Sequence, residues 1–283
     1  MTELPTLKET VDKYGLLAKR SLGQNFLLDQ NITGKIIRTS LETRGLTDFS
    51  HEDVYEIGPG PGGLTRAVLN ASPHRLTVIE MDSRCIAIMQ ELQTFFPQVL
   101  RIIEGDALAF DYHEETSYPK SIVSNLPYNI SVPLLLGWIK SITHFNSLTL
   151  MFQKEVAERI MAPCHNKSYG RLSVIAQLTC HIKSLMTLNP QCFVPAPKIW
   201  STVLLFTPKA DAPSPQVLHQ VELITELAFS QRRKMIRQSL KTLEGLENVC
   251  QKINIDLTAR AENISCEQYR QMAELMLEQN QNK

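Results

Sequence analysis

Paired cysteines, clustered histidines and long apolar runs are all missing from this chain. Its six cysteines (Cys85, Cys164, Cys180, Cys192, Cys250 and Cys266) include no C-x-x-C pair, and its seven histidines form no H-E-x-x-H or H-x-x-x-H arrangement. No metal site is therefore expected. Nowhere do about 18 apolar residues follow one another, the length a membrane-spanning helix needs. Met1 to Lys13 carries acids and a proline where a signal peptide would have an apolar core. The expectation is a cytoplasmic protein with reduced thiols. An excess of charge is missing too: 29 basic side chains balance 29 acidic ones, so any contact with a polyanion has to come from local patches. Internal repeats and low-complexity tracts are not found.

What is present is a rhythm. The chain has 283 residues, 43% of them hydrophobic, enough for one large core with a smaller appendage. Residues 54–206 alternate short β-rich runs with helical patterns, as in a parallel sheet covered on both faces. The predicted strands are VYEIG (54–58), LTVIEMD (76–82), LRIIEGDA (100–107), SIVSNL (121–126), SLTLMFQ (147–153), HIKSLMTL and STVLLFTP. Between them GGLTRAVLN, RCIAIMQELQTFF, SVPLLLGWIK and KEVAERIM space apolar residues three and four apart, which predicts helices. Only the proline-bearing QCFVPAPKIW separates the last two strands, too little for a crossover helix, so an antiparallel hairpin is expected there. The fold class is thus α/β, a doubly wound sheet of seven strands ending in a hairpin. After Phe206 the proline- and alanine-rich TPKADAPSPQ predicts a linker at 207–216, and only helical patterns follow. The expected organisation is a main domain over 1–206, with residues 1–18 as a loose arm, and a small all-helical domain over 217–283.

The strand VYEIG runs into Gly58-Pro59-Gly60-Pro61-Gly62-Gly63 and then a helix, a turn that lets a ligand approach the backbone closely. The spacing is G-x-G-x-G, not the G-x-G-x-x-G of dinucleotide sites, and two prolines remove N–H groups that a pyrophosphate would use. A phosphate-free nucleoside fits better than a nicotinamide cofactor. Glu80 ends the second strand, roughly 20 residues after the first glycine, where an acid can accept both ribose hydroxyls. Asp106, ending the third strand, can accept from an adenine amino group. Two acids beside such a turn suit an adenosine that carries a sulfonium, which points to S-adenosylmethionine. Taken singly, the turn is also compatible with a tight loop and each acid with a helix cap; their register together carries the reading.

The fourth strand ends in Asn125-Leu126-Pro127-Tyr128, at the edge where doubly wound sheets place their ligands. The tetrad fits the [DNS]-x-P-[YFW] pattern of enzymes that methylate exocyclic amino nitrogens. Such a nitrogen donates its lone pair into the ring and is a poor nucleophile until its hydrogens are held by acceptors. The Asn125 amide oxygen and the Leu126 carbonyl can be those acceptors. Pro127 fixes the backbone, and Tyr128 offers a face for a flipped-out base.

Longer segments extend the likeness: KRSLGQNFLLD (19–29), FQKEVAERI, YGRLSV (169–174), FVPAPKIWSTV (193–203), QRRKMIRQSL and RAENIS. With the two motifs they resemble the small-subunit (16S-type) rRNA adenine dimethyltransferase family over nearly the whole chain. The resemblance implies a Rossmann-like class I methyltransferase domain and a helical RNA-binding domain. It also implies two adjacent adenosines, in a hairpin near the 3′ end of small-subunit rRNA, as the substrate. Donor contacts would come from Asn25, Leu27, Gly58, Glu80, Asp106 and Asn125, with Gly60, Met81 and Ala107 in the same site. The partner would be rRNA in a precursor of the small ribosomal subunit, and a monomer is expected. One departure stands out: where the family reads P-P-P-K-V-D-S, this chain has Pro195-Ala196-Pro197-Lys198-Ile199-Trp200-Ser201.

Lys19, Arg20, Phe193 and Lys198 are the candidate RNA contacts in the first domain, although Phe193 equally suits a core position and the two N-terminal cations plain surface. In the second, Arg232, Arg233, Lys234, Arg237 and Lys241 fall in a stretch without acids. Arg233, Arg237 and Lys241 are spaced for one helix face, a stripe suited to phosphates or simply to water. Two other functions share these features: a single-site methyltransferase of large-subunit rRNA, and an RNA-binding assembly or transcription factor without turnover.

Overall fold

A strand flanked on both sides and covered on both faces has no position left for water. Strands β2 (Asp53–Ile57) and β5 (Lys120–Ser124) meet that description, each buried at all five positions. They lie at the centre of a sheet in a computed structural model that describes residues 4–16, 25–113, 116 and 118–281. In chain order the remaining elements begin with α1 (Leu7–Lys13), β1 (Phe26–Leu27), α2 (Gln30–Thr43), α3 (Gly63–Asn70), β3 (Arg75–Glu80), α4 (Ser83–Gln93) and β4 (Leu100–Glu104). Next come α5 (Ser131–Lys140), β6 (Phe145–Gln153), α6 (Lys154–Met161), α7 (Arg171–Thr179), β7 (Cys180–Leu188), β8 (Phe193–Val194) and β9 (Ser201–Pro208). The chain closes with α8 (Pro215–Ser230), α9 (Ile236–Ser239), α10 (Leu246–Lys252) and α11 (Cys266–Gln281).

The sheet has seven strands in the order β4-β3-β2-β5-β6-β9-β7. Pairs β2–β3, β3–β4, β2–β5 and β5–β6 are parallel, while β9 runs antiparallel to β6 with Gln153 opposite Ser201. Each strand expected from the sequence is there, with the reversal at the end of the chain's sheet-forming part. The order reverses between β2 and β5, which opens a crevice at their carboxyl ends, the place where such sheets take ligands. One core lies between the sheet and its helices: Val54, Leu76 and Val78 meet Ile36, Ile37 and Leu41 of α2, Val68 of α3 and Ile88 of α4. Side-chain caps start the helices where the polar residues stand. Asp29 accepts the Asn31 N–H at 2.8 Å for α2, and Asp82 accepts the Arg84 N–H at 3.1 Å for α4.

Three expectations are corrected. Residues 7–13 of the supposed loose arm form α1, because Thr6 and Glu9 make a reciprocal capping box. The helix is docked, with Leu7 and Thr10 buried and the Arg66 side chain donating to the Pro5 carbonyl and Thr10 hydroxyl. The loop between β7 and β9 contains β8, which pairs antiparallel with β1, Leu27 facing Phe193. Finally, the residues group into two compact units. One comprises Met1–Leu135, Thr143–Lys154 and Lys183–Thr207; the other comprises Leu136–Ile142, Glu155–Ile182 and Pro208–Lys283. A single cut near residue 207 does not describe this, since Tyr169, Val174 and Leu178 share a core with Val221 and Ile224 of α8 and Tyr269 and Met272 of α11. Among the described residues no helix is long and apolar enough to cross a membrane.

Candidate active site

The turn after β2 takes its shape from what its glycines lack. Gly58, Gly60 and Gly62 have φ of 65°, 56° and 90°, the left-handed region that costs other residues about 1 kcal/mol or more. A Cβ on Gly60 would lie 3.0 Å from the Phe26 ring, and one on Gly63 would run into the Leu27 carbonyl. The turn is therefore drawn tight against β1, and this brings Asn25 and Leu27 beside it. Gln30 fastens the same junction by donating to the Gly63 carbonyl at 2.9 Å.

Two acids stand at neighbouring strand ends. Glu80 is buried, and one of its oxygens accepts the N–H groups of Met81 (2.8 Å) and Asp82 (2.9 Å). Those bonds favour the carboxylate, yet burial dominates and moves its pKa above the ordinary glutamate value. Asp106 is exposed and accepts the Leu108 N–H at 2.9 Å, which closes the turn after β4. Ala107 is buried, and its carbonyl takes the Tyr112 hydroxyl at 3.0 Å. Met81 and Leu108 expose apolar surface beside these acids, 68% and 50% of their area.

The end of β5 supplies a different chemistry. Asn125 donates its Nδ2 to the Asn25 carbonyl at 3.2 Å, which settles the amide orientation and leaves Oδ1 as the acceptor. Leu126 is buried, Pro127 packs beside Gly58, and Tyr128 is half-buried with its hydroxyl 2.9 Å from Ser201 Oγ. Burial raises the Tyr128 pKa against the opposing effect of that hydrogen bond. The ring is thus a neutral phenol with a face to offer, not a base.

A cavity of about 540 Å³ gathers these groups. Asn25, Leu27, Gly58, Gly60, Glu80, Met81, Asp106, Ala107, Asn125, Leu126, Pro127 and Tyr128 all line it. Among the lining residues not expected from the sequence is Glu56, 2% exposed, with its Oε2 lacking a hydrogen-bond partner. Burial pushes its pKa up to about 8, against a hydrogen bond with Thr65 and with a smaller push from Glu80. The signal was available, since a charged residue inside a strand of otherwise buried positions needs a reason. Ser201, which holds Tyr128, carried no signal of its own in the sequence.

The candidate RNA contacts fare differently. Lys19 and Arg20 lie outside the described residues. Phe193 is 2% exposed and belongs to the core with Leu27, so it cannot stack on a base; the pairing of β8 with β1 turns it inward. Lys198 is exposed. The basic stretch is not one helix: the backbone leaves the helical path after Ser230, Met235 forms a bridge with Arg260, and α9 covers only Ile236–Ser239. The i, i+4, i+8 stripe therefore does not exist. Arg232 is committed elsewhere, donating to the carbonyls of Lys167 (2.8 Å) and Tyr169 (2.9 Å) and pairing with Glu262 at 3.2 Å. Arg233, Lys234, Arg237 and Lys241 remain exposed.

Comparison with known proteins adds findings of three kinds. A family model described as "Ribosomal RNA adenine dimethylase" matches residues 15–278. The "Ribosomal RNA small subunit methyltransferase A" of Rhodospirillum rubrum is 45% identical over 270 residues, 95% of this chain and 92% of that protein. A protein of the same name from Azorhizobium caulinodans is 46% identical over 268 residues, 93% and 89% of the two chains. Among solved structures, a dimethyladenosine transferase from Plasmodium falciparum superposes with a TM-score of 0.72 at 25% identity, covering 89% of this chain and 96% of its own. The 23S rRNA methyltransferase ErmE shares the fold with a TM-score of 0.67 at 22% identity, covering 88% and 98%.

Proposed function

This chain belongs to the ribosomal RNA adenine dimethylase family, and from that membership we propose its reaction: transfer of methyl groups to the N6 amino groups of two adjacent adenosines in a hairpin near the 3′ end of small-subunit rRNA, a step of small-subunit biogenesis. S-adenosylmethionine, the donor, supplies an electrophilic methyl carbon. The residues suit it. The glycine turn leaves room for close approach, Glu80 accepts ribose hydroxyls, Asp106 accepts from the adenine amino group, and the unpartnered Glu56 oxygen gives the buried wall a place for positive charge.

The observation that carries the reading is the Asn125 amide. Its Nδ2 is held by the Asn25 carbonyl, so Oδ1 accepts from the substrate amino group, with the Leu126 carbonyl as second acceptor. Holding both hydrogens frees the nitrogen lone pair for attack. Tyr128 stacks on the extruded base, and Ser201 keeps its ring in place. No strong base is required, because the amino group loses its proton after it has been alkylated. The helical residues of the second unit provide phosphate contacts, and the protein acts as a cytoplasmic monomer on a small-subunit precursor.

Radiolabelled methyl transfer to small and large ribosomal subunits from cells without this protein tests the reading. Label in two adjacent adenosines near the 3′ end supports it; label in large-subunit rRNA, or none in either, overturns it. A second measurement concerns the exposed cations. Reversing Arg233 and Arg237 together to glutamate is expected to weaken subunit binding and flatten its dependence on salt, by about one unit of slope for each phosphate that is no longer neutralised. Donor affinity should not change, and an unaltered salt slope would take these residues out of the interface.

A further inference from the structure

The chain has two tryptophans, and they are used differently. Trp138 is 3% exposed, whereas Trp200 leaves 46% of its surface in water and makes no ring contact with another described residue. Tryptophan joins a large apolar face to a polar N–H and is enriched at contact surfaces for that reason. The backbone at Trp200 is anchored. Its carbonyl accepts the Lys154 N–H at 2.8 Å, and the next residue, Ser201, is paired with Gln153 in the sheet and touches the Tyr128 hydroxyl. The indole is thus mounted at the carboxyl edge of the sheet, the edge that carries Asn125.

Trp200 is not among the residues lining the cavity that holds Asn125 and Tyr128. It stands one residue from Ser201, whose hydroxyl meets that of Tyr128 in the cavity wall. Lys198, also exposed, stands two residues before it and supplies a cation of the kind a phosphate would pair with. An aromatic face next to a cation is the combination that holds single-stranded nucleotides. We propose that Trp200 is the stacking platform for a nucleotide adjoining the target adenosine, a substrate-selecting contact of the reaction. This rests on the function proposed above.

The test uses the full-length protein, undermethylated small subunits, and a synthetic RNA hairpin with two adjacent adenosines in its loop. Trp200→Ala is expected to raise KM for the subunits by roughly ten-fold, the effect of losing one base–aromatic stack. Both kcat and donor affinity should stay as they were. Trp200→Phe keeps a ring face and should recover most of the loss. In the wild type, the hairpin should quench tryptophan emission and shield it from iodide, which reaches Trp200 but not Trp138.

An unchanged KM in Trp200→Ala, or a phenylalanine variant no better than alanine, overturns the proposal. So does emission that remains open to iodide at saturating hairpin. A KM defect on subunits with undiminished hairpin affinity also overturns it, in favour of contact with a ribosomal protein. Absence of methyl transfer by the wild-type protein counts against the proposed reaction, while the quenching result still decides whether Trp200 stacks on a base.

Discussion

Replacing Asn125 by alanine should lower methyl transfer by roughly 10²- to 10³-fold, the usual loss when one group that stabilises developing charge is removed, while donor affinity changes by no more than about three-fold. The contrast follows from how the side chain is held. Nδ2 is spent on the Asn25 carbonyl, which favours one orientation of the amide and leaves Oδ1 as the acceptor that the proposed reaction uses. Alanine removes the acceptor outright. It also takes the tether off the carbonyl of Asn25, a lining residue of the donor cavity, which accounts for the small effect on donor binding. Asn125→Asp separates the two functions. The carboxylate keeps an acceptor but sets its second oxygen against the Asn25 carbonyl, so an intermediate rate with weaker donor binding is expected. Equilibrium dialysis with the donor and single-turnover transfer measure the two quantities independently. Wild-type turnover in the alanine variant would remove Asn125 from the reaction.

The sheet and the residues that line its cavity were legible because both are written locally. Strands β2, β3 and β5 are continuous runs of buried residues between turn signals, and the helices between them show their apolar spacing within single segments. Gly58, Glu80 and Asn125 stand at the ends of these strands and Asp106 just after the less buried β4, and parallel strands of one sheet bring their carboxyl ends to one edge. That is why residues far apart in sequence could be assigned to one cavity. Strands β1 and β8 were not legible, since a pair of two-residue strands has no periodicity and meets across more than a hundred and fifty positions. Phe193 went with them: whether an aromatic faces the core or a ligand depends on that pairing alone.

The basic stretch misled for a different reason. Its spacing fits a helix, but a helix also needs ends, and residues 231–235 carry no capping residue while the Arg232 side chain is drawn to two carbonyls of the segment before α7. Helix α1, by contrast, was announced by Thr6-x-x-Glu9, a capping box in plain sequence; its length of seven residues is what makes it easy to pass over.

Glu56 connects donor binding to pH. In the unfolded chain its pKa is 4.5, and in the folded protein burial raises it to about 8. Below the lower value it is protonated in both states and contributes no pH dependence. Between the two values the folded protein holds a proton that the unfolded chain has given up, so stability falls as pH rises, by at most about 1.4 kcal/mol per pH unit; above about 8 the loss is complete. Glu80, also raised by burial, acts in the same direction. Glu56→Gln removes one of the two groups while keeping the hydrogen bond toward Thr65. The ligand-free variant should therefore lose less melting temperature than the wild type between about pH 5 and 8, a window set by this shift. A cationic ligand beside Glu56 favours its carboxylate, so donor binding near neutral pH should release a proton from the wild type and less from the variant. Calorimetry in two buffers of different ionisation enthalpy reads that proton directly. Parallel melting curves for the two proteins, with equal proton release, would mean that Glu56 is already ionised in its buried position and that something other than the donor balances its charge.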